Sequence, residues 1–183
     1  MANNVTDIKA TGKLELDQKG LDAARSSLDD GVVTASYQLD AEQVCKLLND
    51  SLATELVCVL RYRRHHFTVD GVESPKIKEE FMVHATEEQA HADLIAERIV
   101  QLGGKPDFNP ASLIDRSHAD YDESSSLQSM VRVNLIAERI AIEAYRQMIA
   151  LIGDKDPTTK RMLAHILEQE EEHADELKDW LQK

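Results

Sequence analysis

The chain has little of what disulfide scaffolds, all-β folds and basic surfaces are built from. Its two cysteines, Cys45 and Cys58, have no Cys-x-x-Cys spacing. They exclude a disulfide framework and point to a reducing compartment, so a cytoplasmic protein is expected. Thirteen residues apart, they lie about 220° apart around a helix and read as separate small buried residues, not a redox pair. Seven glycines, four prolines and 4% aromatic residues disfavour an all-β fold and favour helices. Cations are scarce as well: 21 Lys and Arg face 34 Asp and Glu, a net charge of −13. That excludes a general basic surface for nucleic acid or anionic membrane, and suits a chain that attracts cations. No stretch approaches the roughly 20 apolar residues of a membrane span, so no membrane partner is expected. The N-terminus lacks the apolar run of a signal peptide. At 183 residues the chain fits one domain with a real core.

What the sequence does contain is one pattern twice: Glu88-Gln89-Ala90-His91 and Glu170-Glu171-Glu172-His173. On a helix, residues three apart share a face, so each copy aims a carboxylate and an imidazole at one point. Composition alone gives about one such match by chance, so the context decides. That context is a repeat. Glu55 stands thirty-three residues before Glu88, with Tyr62 seven residues after it. Glu138 stands thirty-two residues before Glu170, with Tyr145 seven residues after it. The chain is a duplicated helical hairpin. It supplies once the ligand set of di-iron carboxylate bundles, a Glu from each of two helices and Glu-x-x-His from each of two others.

Residues 1–38 read as an N-terminal arm, ordered in part, and 39–183 as the bundle. Within residues 1–37, four cations (Lys9, Lys13, Lys19, Arg25) face six acids. A short helix is expected around Leu21–Arg25, and the arm is a candidate for docking on a neighbouring subunit. The first long helix starts at Asp40, with Gln43 three residues on as in a capping box. Its stripe runs Val44, Leu47, Leu48, Ser51, Leu52, Glu55, Val59, Tyr62. The basic stretch Arg61–His66 reads as a solvated or subunit-facing end. The second helix has Ser74 as N-cap and Pro75 at its first position, and stops at Gly103-Gly104. Its stripe is Ile77, Phe81, His84, Glu88, His91, Ile95, Leu102. His84 has no counterpart in the other half, where Ile166 stands, and reads as a buried histidine that is not a ligand. The third helix starts among Ser124–Ser126 and presents Leu127, Val131, Asn134, Glu138, Ile142, Tyr145, Met148 and Ile152. The fourth opens with Asp156 and Pro157 and presents Leu163, Ile166, Glu170, His173, Leu177 and Trp180. Residues 103–124 form a long connection. About 20 residues can reach ~66 Å extended, against ~42 Å for a 28-residue helix, so a crossover that makes the second and third helices parallel is feasible.

Two sets of residues carry a family resemblance over about residues 40–181. Leu48–Leu56 with Tyr62, Glu88-x-x-His91-Ala92-Asp93 and Arg98–Pro106 resemble bacterioferritin. Ala137–Ile142, the Gly153–Thr158 turn and Ile166-Leu167-x-x-Glu170-x-x-His173 are similar to the Dps-like branch with a bacterioferritin-type di-iron centre. The resemblance implies an all-α, ferritin-like four-helix bundle with a long B–C crossover. It implies two iron ions per subunit. Glu55 and His91 would bind one, Glu138 and His173 the other, and Glu88 and Glu170 would bridge both, with Tyr62 and Tyr145 behind them. It implies a ferroxidase that oxidises Fe(II) with dioxygen or hydrogen peroxide and stores Fe(III) in a homo-oligomeric shell.

The chain departs from the bacterioferritin pattern in two places. Gln89 stands where the haem-ligating Met would follow the Glu, so no haem is expected. Only ten residues follow His173, too few for a fifth helix, which favours a 12-mer over a 24-mer. The acidic arm lacks a Lys-rich tail, so DNA is an unlikely partner. Competing readings are a non-storage di-metal peroxidase, rubrerythrin-like or manganese-catalase-like, and a plain bundle whose polar residues satisfy one another. Rubrerythrin's Cys-x-x-Cys module is absent, and burying so much charge without a cation is costly.

Overall fold

The computed structural model describes residues 14–26, 28–71 and 74–182. Among these residues the regular structure is helical throughout: α1 (Gln18–Ala23), α2 (Ala41–Thr68), α3 (Ser74–Gln101), α4 (Leu113–Arg116), α5 (Leu127–Ile152) and α6 (Pro157–Leu181), with three single 3-10 turns. The long helices begin where side chains can take up their free N–H groups. Asp40 accepts from the amides of Glu42 and Gln43, Ser126 from Ser129, and Asp156 from Thr159 with Pro157 behind it. The reciprocal half of the expected capping box is absent, because the Gln43 amide instead donates to the Asp40 carboxylate at 3.0 Å. α3 is helical from Ser74 on, and the expected cap by the Ser74 side chain lies outside what is described.

α2 and α3 form one antiparallel hairpin, α5 and α6 the other. The hairpins face each other with a crossed register: Tyr62 meets Glu138 and Tyr145 meets Glu55 across α2 and α5, while His84 meets Glu176 and His91 meets Gln169 across α3 and α6. The second and third long helices therefore run parallel, and residues 102–126 carry the chain back. The crossover is strapped along α2 by specific bonds. Arg116 donates to the Asn49 and Asp107 carbonyls, Asn49 Nδ2 donates to the Lys105 carbonyl, and the His118 amide donates to Thr54 Oγ1. Part of it is itself helical, in α4 and the turn Pro110–Ser112 before it.

The apolar core has two large clusters and a small third one, Ala53, Val57 and Leu113, where α2 meets α4. One large cluster holds Leu48, Leu52, Ile95, Ile99, Met148 and Leu163; the other holds Tyr62, Phe81, Met130, Val131 and Leu177. On every long helix the Glu or Glu-x-x-His residues fall between these two clusters.

Of the first residues, 1–13 lie outside the described ones. The short helix of the arm sits earlier than expected, at Gln18–Ala23, because Asp17 caps it through Lys19 and Gly20. Val33, Tyr37 and Leu39 pack on the bundle, and the Tyr37 hydroxyl donates to Asp156 at 3.0 Å. Asp156 also receives both Arg98 Nη2 contacts and the Thr159 hydroxyl.

Two expectations fail on α2. Leu47 lies at the surface, 36% exposed. Arg61 and His65 turn inward and are buried. Arg61 finds the Asn134 side chain at 2.7 Å, the Asp120 carbonyl at 2.9 Å and Cys58 Sγ at 3.3 Å, and His65 Nδ1 lies 3.0 Å from Asn134 Nδ2. These partners make burial of the guanidinium tolerable. Cys45 and Cys58 are both free and buried, as expected.

Candidate metal centre

Four carboxylates and two imidazoles meet in the layer between the two apolar clusters. α2 contributes Glu55, α3 Glu88 and His91, α5 Glu138, and α6 Glu170 and His173, each at most 2% exposed. His91 Nδ1 lies 3.1 Å from Glu170, 3.3 Å from Glu55 and 3.6 Å from Glu88. His173 Nδ1 lies 3.8 Å from Glu88, 3.8 Å from Glu170 and 3.9 Å from Glu138. Two overlapping groups result, Glu55-Glu88-His91-Glu170 and Glu88-Glu138-Glu170-His173, each with ligand atoms within 4.8 Å of one another. Glu88 and Glu170 belong to both. The Glu-x-x-His spacing puts carboxylate and imidazole on one helix face, and the antiparallel hairpins bring the two faces together.

Behind these six stands a ring of holding groups. The Tyr145 hydroxyl donates to Glu55, and the Tyr62 hydroxyl to Glu138. His91 Nε2 faces Gln169 Oε1 at 3.1 Å, and His173 Nε2 faces Glu87 Oε2 at 2.8 Å. Gln169 and Glu87 escaped the sequence reading. Their signal was a symmetric one: each directly precedes the Glu of one Glu-x-x-His and holds the His of the other. His84, buried on the same face of α3, sets its Nδ1 3.1 Å from the Tyr62 hydroxyl and stacks on His173 with ring centroids 4.1 Å apart.

The layer's electrostatics are those of a site made for cations. Burial and the neighbouring charges of Glu170, Glu55 and Glu138 push the Glu88 carboxyl well above its usual range. Burial and then the Glu55 charge raise Glu170 to about 8. Burial works against Glu138 too, but contacts from His173, Glu170 and Tyr62 outweigh it and hold the carboxyl at about 2. For the imidazoles burial favours the neutral ring, yet the surrounding carboxylates reverse this, raising His173 to about 12 and His91 above the ordinary histidine range. Among the described residues, Glu88 Oε1, Glu138 Oε2, Glu170 Oε2 and His173 Nδ1 are buried without a hydrogen-bond partner, and Glu170 Oε1 faces the His91 ring at 3.1 Å. Orphaned buried acceptors around one point are costly unless a cation fills it. Imidazole with carboxylate is a donor set that suits iron or manganese.

A four-helix bundle carrying this ligand set defines the class of di-metal carboxylate proteins. The family model described as Ferritin-like domain matches residues 45–183, and the chain belongs to that ferritin-like family. It is 31% identical over 135 residues to a nutrient stress-induced DNA-binding protein of Synechococcus, covering 72% of this chain and 77% of that one. It is 26% identical over 132 residues to the bacterioferritin of Desulfovibrio desulfuricans, covering 72% and 70%. Among solved structures it is similar to a dodecameric thioferritin, the bacterioferritin-related protein of Bacteroides fragilis. That similarity has a TM-score of 0.76 and 34% identity over 79% of this chain and 87% of that one. No helix among the described residues is long and apolar enough to cross a membrane.

Proposed function

We propose that the protein is a ferroxidase that oxidises Fe(II) and stores the Fe(III) inside a shell of twelve subunits. Iron storage and ferroxidation are the general business of its family, and the particular centre is our reading. The observation that carries it is the pair of overlapping ligand groups sharing Glu88 and Glu170, with unpartnered oxygens turned into the layer. Glu55 and His91 hold one Fe(II), Glu138 and His173 the other, and the shared carboxylates span both. Iron is the substrate here. Two Fe(II) together release the two electrons that reduce one hydrogen peroxide, or half the four that reduce dioxygen to water.

The residues' own part is to bind, orient and manage protons. Tyr145 and Tyr62 fix Glu55 and Glu138 by hydrogen bonds, which orients the carboxylates before iron arrives. Gln169 and Glu87 fix the tilt of His91 and His173 from behind. The two apolar clusters close the layer above and below and keep bulk water out. A shell is supported by the dodecameric relative and by an open groove of about 790 Å³ on the outer side of α5, where Leu47, Ile136 and Leu151 lie exposed.

Stopped-flow Fe(II) oxidation by the purified assembly tests the centre. Replacing both Glu88 and Glu170 by Ala abolishes rapid oxidation and leaves the helical fold intact, because it removes two carboxyls whose burial is itself costly. Wild-type rates in that double variant would sink the assignment. Native mass of the iron-loaded protein tests the shell: a small oligomer with two metals per chain and no mineral favours the non-storage peroxidase instead.

A further inference from the structure

A second constellation lies one turn beyond the centre on the same two helices. Glu80 stands four residues before His84 on α3, and Glu176 stands three residues after His173 on α6, so these side chains share the α3–α6 seam. His84 is fully buried, with Nε2 2.9 Å from Glu176 Oε2 and 3.9 Å from Glu80 Oε1. The ligand atoms of all three lie within 4.8 Å of one another. The carboxylate side chains are 29% and 53% exposed, so the group opens to solvent on one side. On the other side it backs onto His173 through the stacked ring of His84.

The convergence of a fully buried imidazole and two carboxylates on one point is what suits this group to a cation. The Tyr62 hydroxyl has one proton and donates it to Glu138. His84 Nδ1, in contact with the same hydroxyl oxygen, is then the donor in that contact. In the neutral ring Nε2 is left as a bare lone pair, and it points at a carboxylate oxygen of Glu176. A contact of 2.9 Å is closed either by a proton or by a cation that both atoms share. A divalent cation also draws in Glu80 as a third ligand. An imidazole whose other ring nitrogen is held by a hydrogen bond is the usual geometry of a metal-bound histidine.

We propose that Glu80, His84 and Glu176 form a third divalent-cation site, set between the protein surface and the His173 side of the centre. The site stands on its own geometry, whereas a role in supplying Fe(II) to the centre rests on the ferroxidase reading. The competing arrangement is a doubly protonated His84 paired with Glu176.

Zinc separates the two, since it binds without redox chemistry. The full-length protein is stripped of metal, titrated with Zn(II) by calorimetry, and crystallised in Zn(II) for anomalous scattering. The expected result is three ions per subunit, one of them about 2.1 Å from His84 Nε2. Glu176→Gln and Glu80→Gln, both changes at exposed or half-exposed carboxylates, weaken that ion alone by about tenfold or more, since even indirect partners of a ligand contribute about that much. In the Glu88→Ala, Glu170→Ala protein the ion at His84 persists. Two ions per subunit with no peak at His84 overturn the proposal and leave the protonated pair. A peak at His84 with none among Glu55, Glu88, His91, Glu138, Glu170 and His173 supports the third site and overturns the ferroxidase reading instead.

Discussion

Tyr62, on the first hairpin, holds Glu138, on the second; Tyr145 returns the bond to Glu55. Each half of the duplication therefore orients a carboxylate that belongs to the other half. Tyr62→Phe removes one hydroxyl from a packed site and keeps the ring. It is expected to weaken metal on the His173 side by about 10–100-fold, while Tyr145→Phe weakens the His91 side by a similar factor. Co(II) titration followed by visible absorption reads the two sites. If Tyr62→Phe perturbs the His91 side instead, the crossed wiring is wrong.

α5 offers two carboxylates, Glu138 and Glu143, and only the first lies in the layer. Glu143 is exposed and accepts from Gln147 at 2.7 Å. Arg146, three residues on, pairs with Glu171 and ties α5 to α6. Glu138→Gln is expected to slow oxidation strongly and weaken metal beside His173. Glu143→Gln changes stability by about 1 kcal/mol or less. Denaturation curves and oxidation rates on the two variants decide it, and a dead Glu143→Gln enzyme beside an active Glu138→Gln enzyme would overturn the alignment of the repeat.

Loading the centre releases protons. With no metal bound, Glu88 and Glu170 (at about 8) keep their protons near pH 7, and His91 and His173 (at about 12) stay charged. Glu55 and Glu138 are already ionised, their carboxyls held below the usual range: burial opposes this, and hydrogen bonds from their neighbours outweigh it. Metal ligands must be deprotonated. Two carboxylic acids and two imidazolium rings then give up about four protons per filled centre. The sign follows: affinity falls as pH falls, because protons compete for the same atoms. Zn(II) binding in weak buffer with a pH indicator measures the release, and none at all would mean that metal goes elsewhere.

Haem and DNA are the two partners the chain is not expected to take. Gln89 offers no thioether, so reconstitution with haem is expected to give no stoichiometric Soret band. A net charge of −13 opposes the phosphate backbone, so plasmid DNA is expected to migrate unshifted near neutral pH at physiological salt. The relative named as a DNA-binding protein makes this a pointed test. Tight, salt-sensitive retention of DNA would show that the acidic arm has been misread.

How much could be seen in the chain alone follows from the range of each interaction. The caps at Asp40, Ser126 and Asp156 are local, and the helix starts followed from them. The six residues of the layer were legible because a duplication writes the same spacing twice. Arg61 and His65 were not. Their partners Asn134 and Asp120 stand 59 to 73 residues away along the chain, beyond any helical period. Glu87 and Gln169 were hidden for a related reason. Each sits beside a stripe residue and not on the stripe, and reaches the opposite hairpin from the seam.

The division of the apolar core has a mechanical consequence. On all four long helices the Glu or Glu-x-x-His residues stand between the two larger apolar clusters. The two ends of the bundle are thus separate greasy collars joined at a charged waist. Without a cation the waist is tied by contacts among its own carboxyls, imidazoles and tyrosines. If the layer holds two ions as proposed, they would join six side chains from four helices and tie both collars into a single cooperative unit, so bound metal would also be the bundle's central rivet.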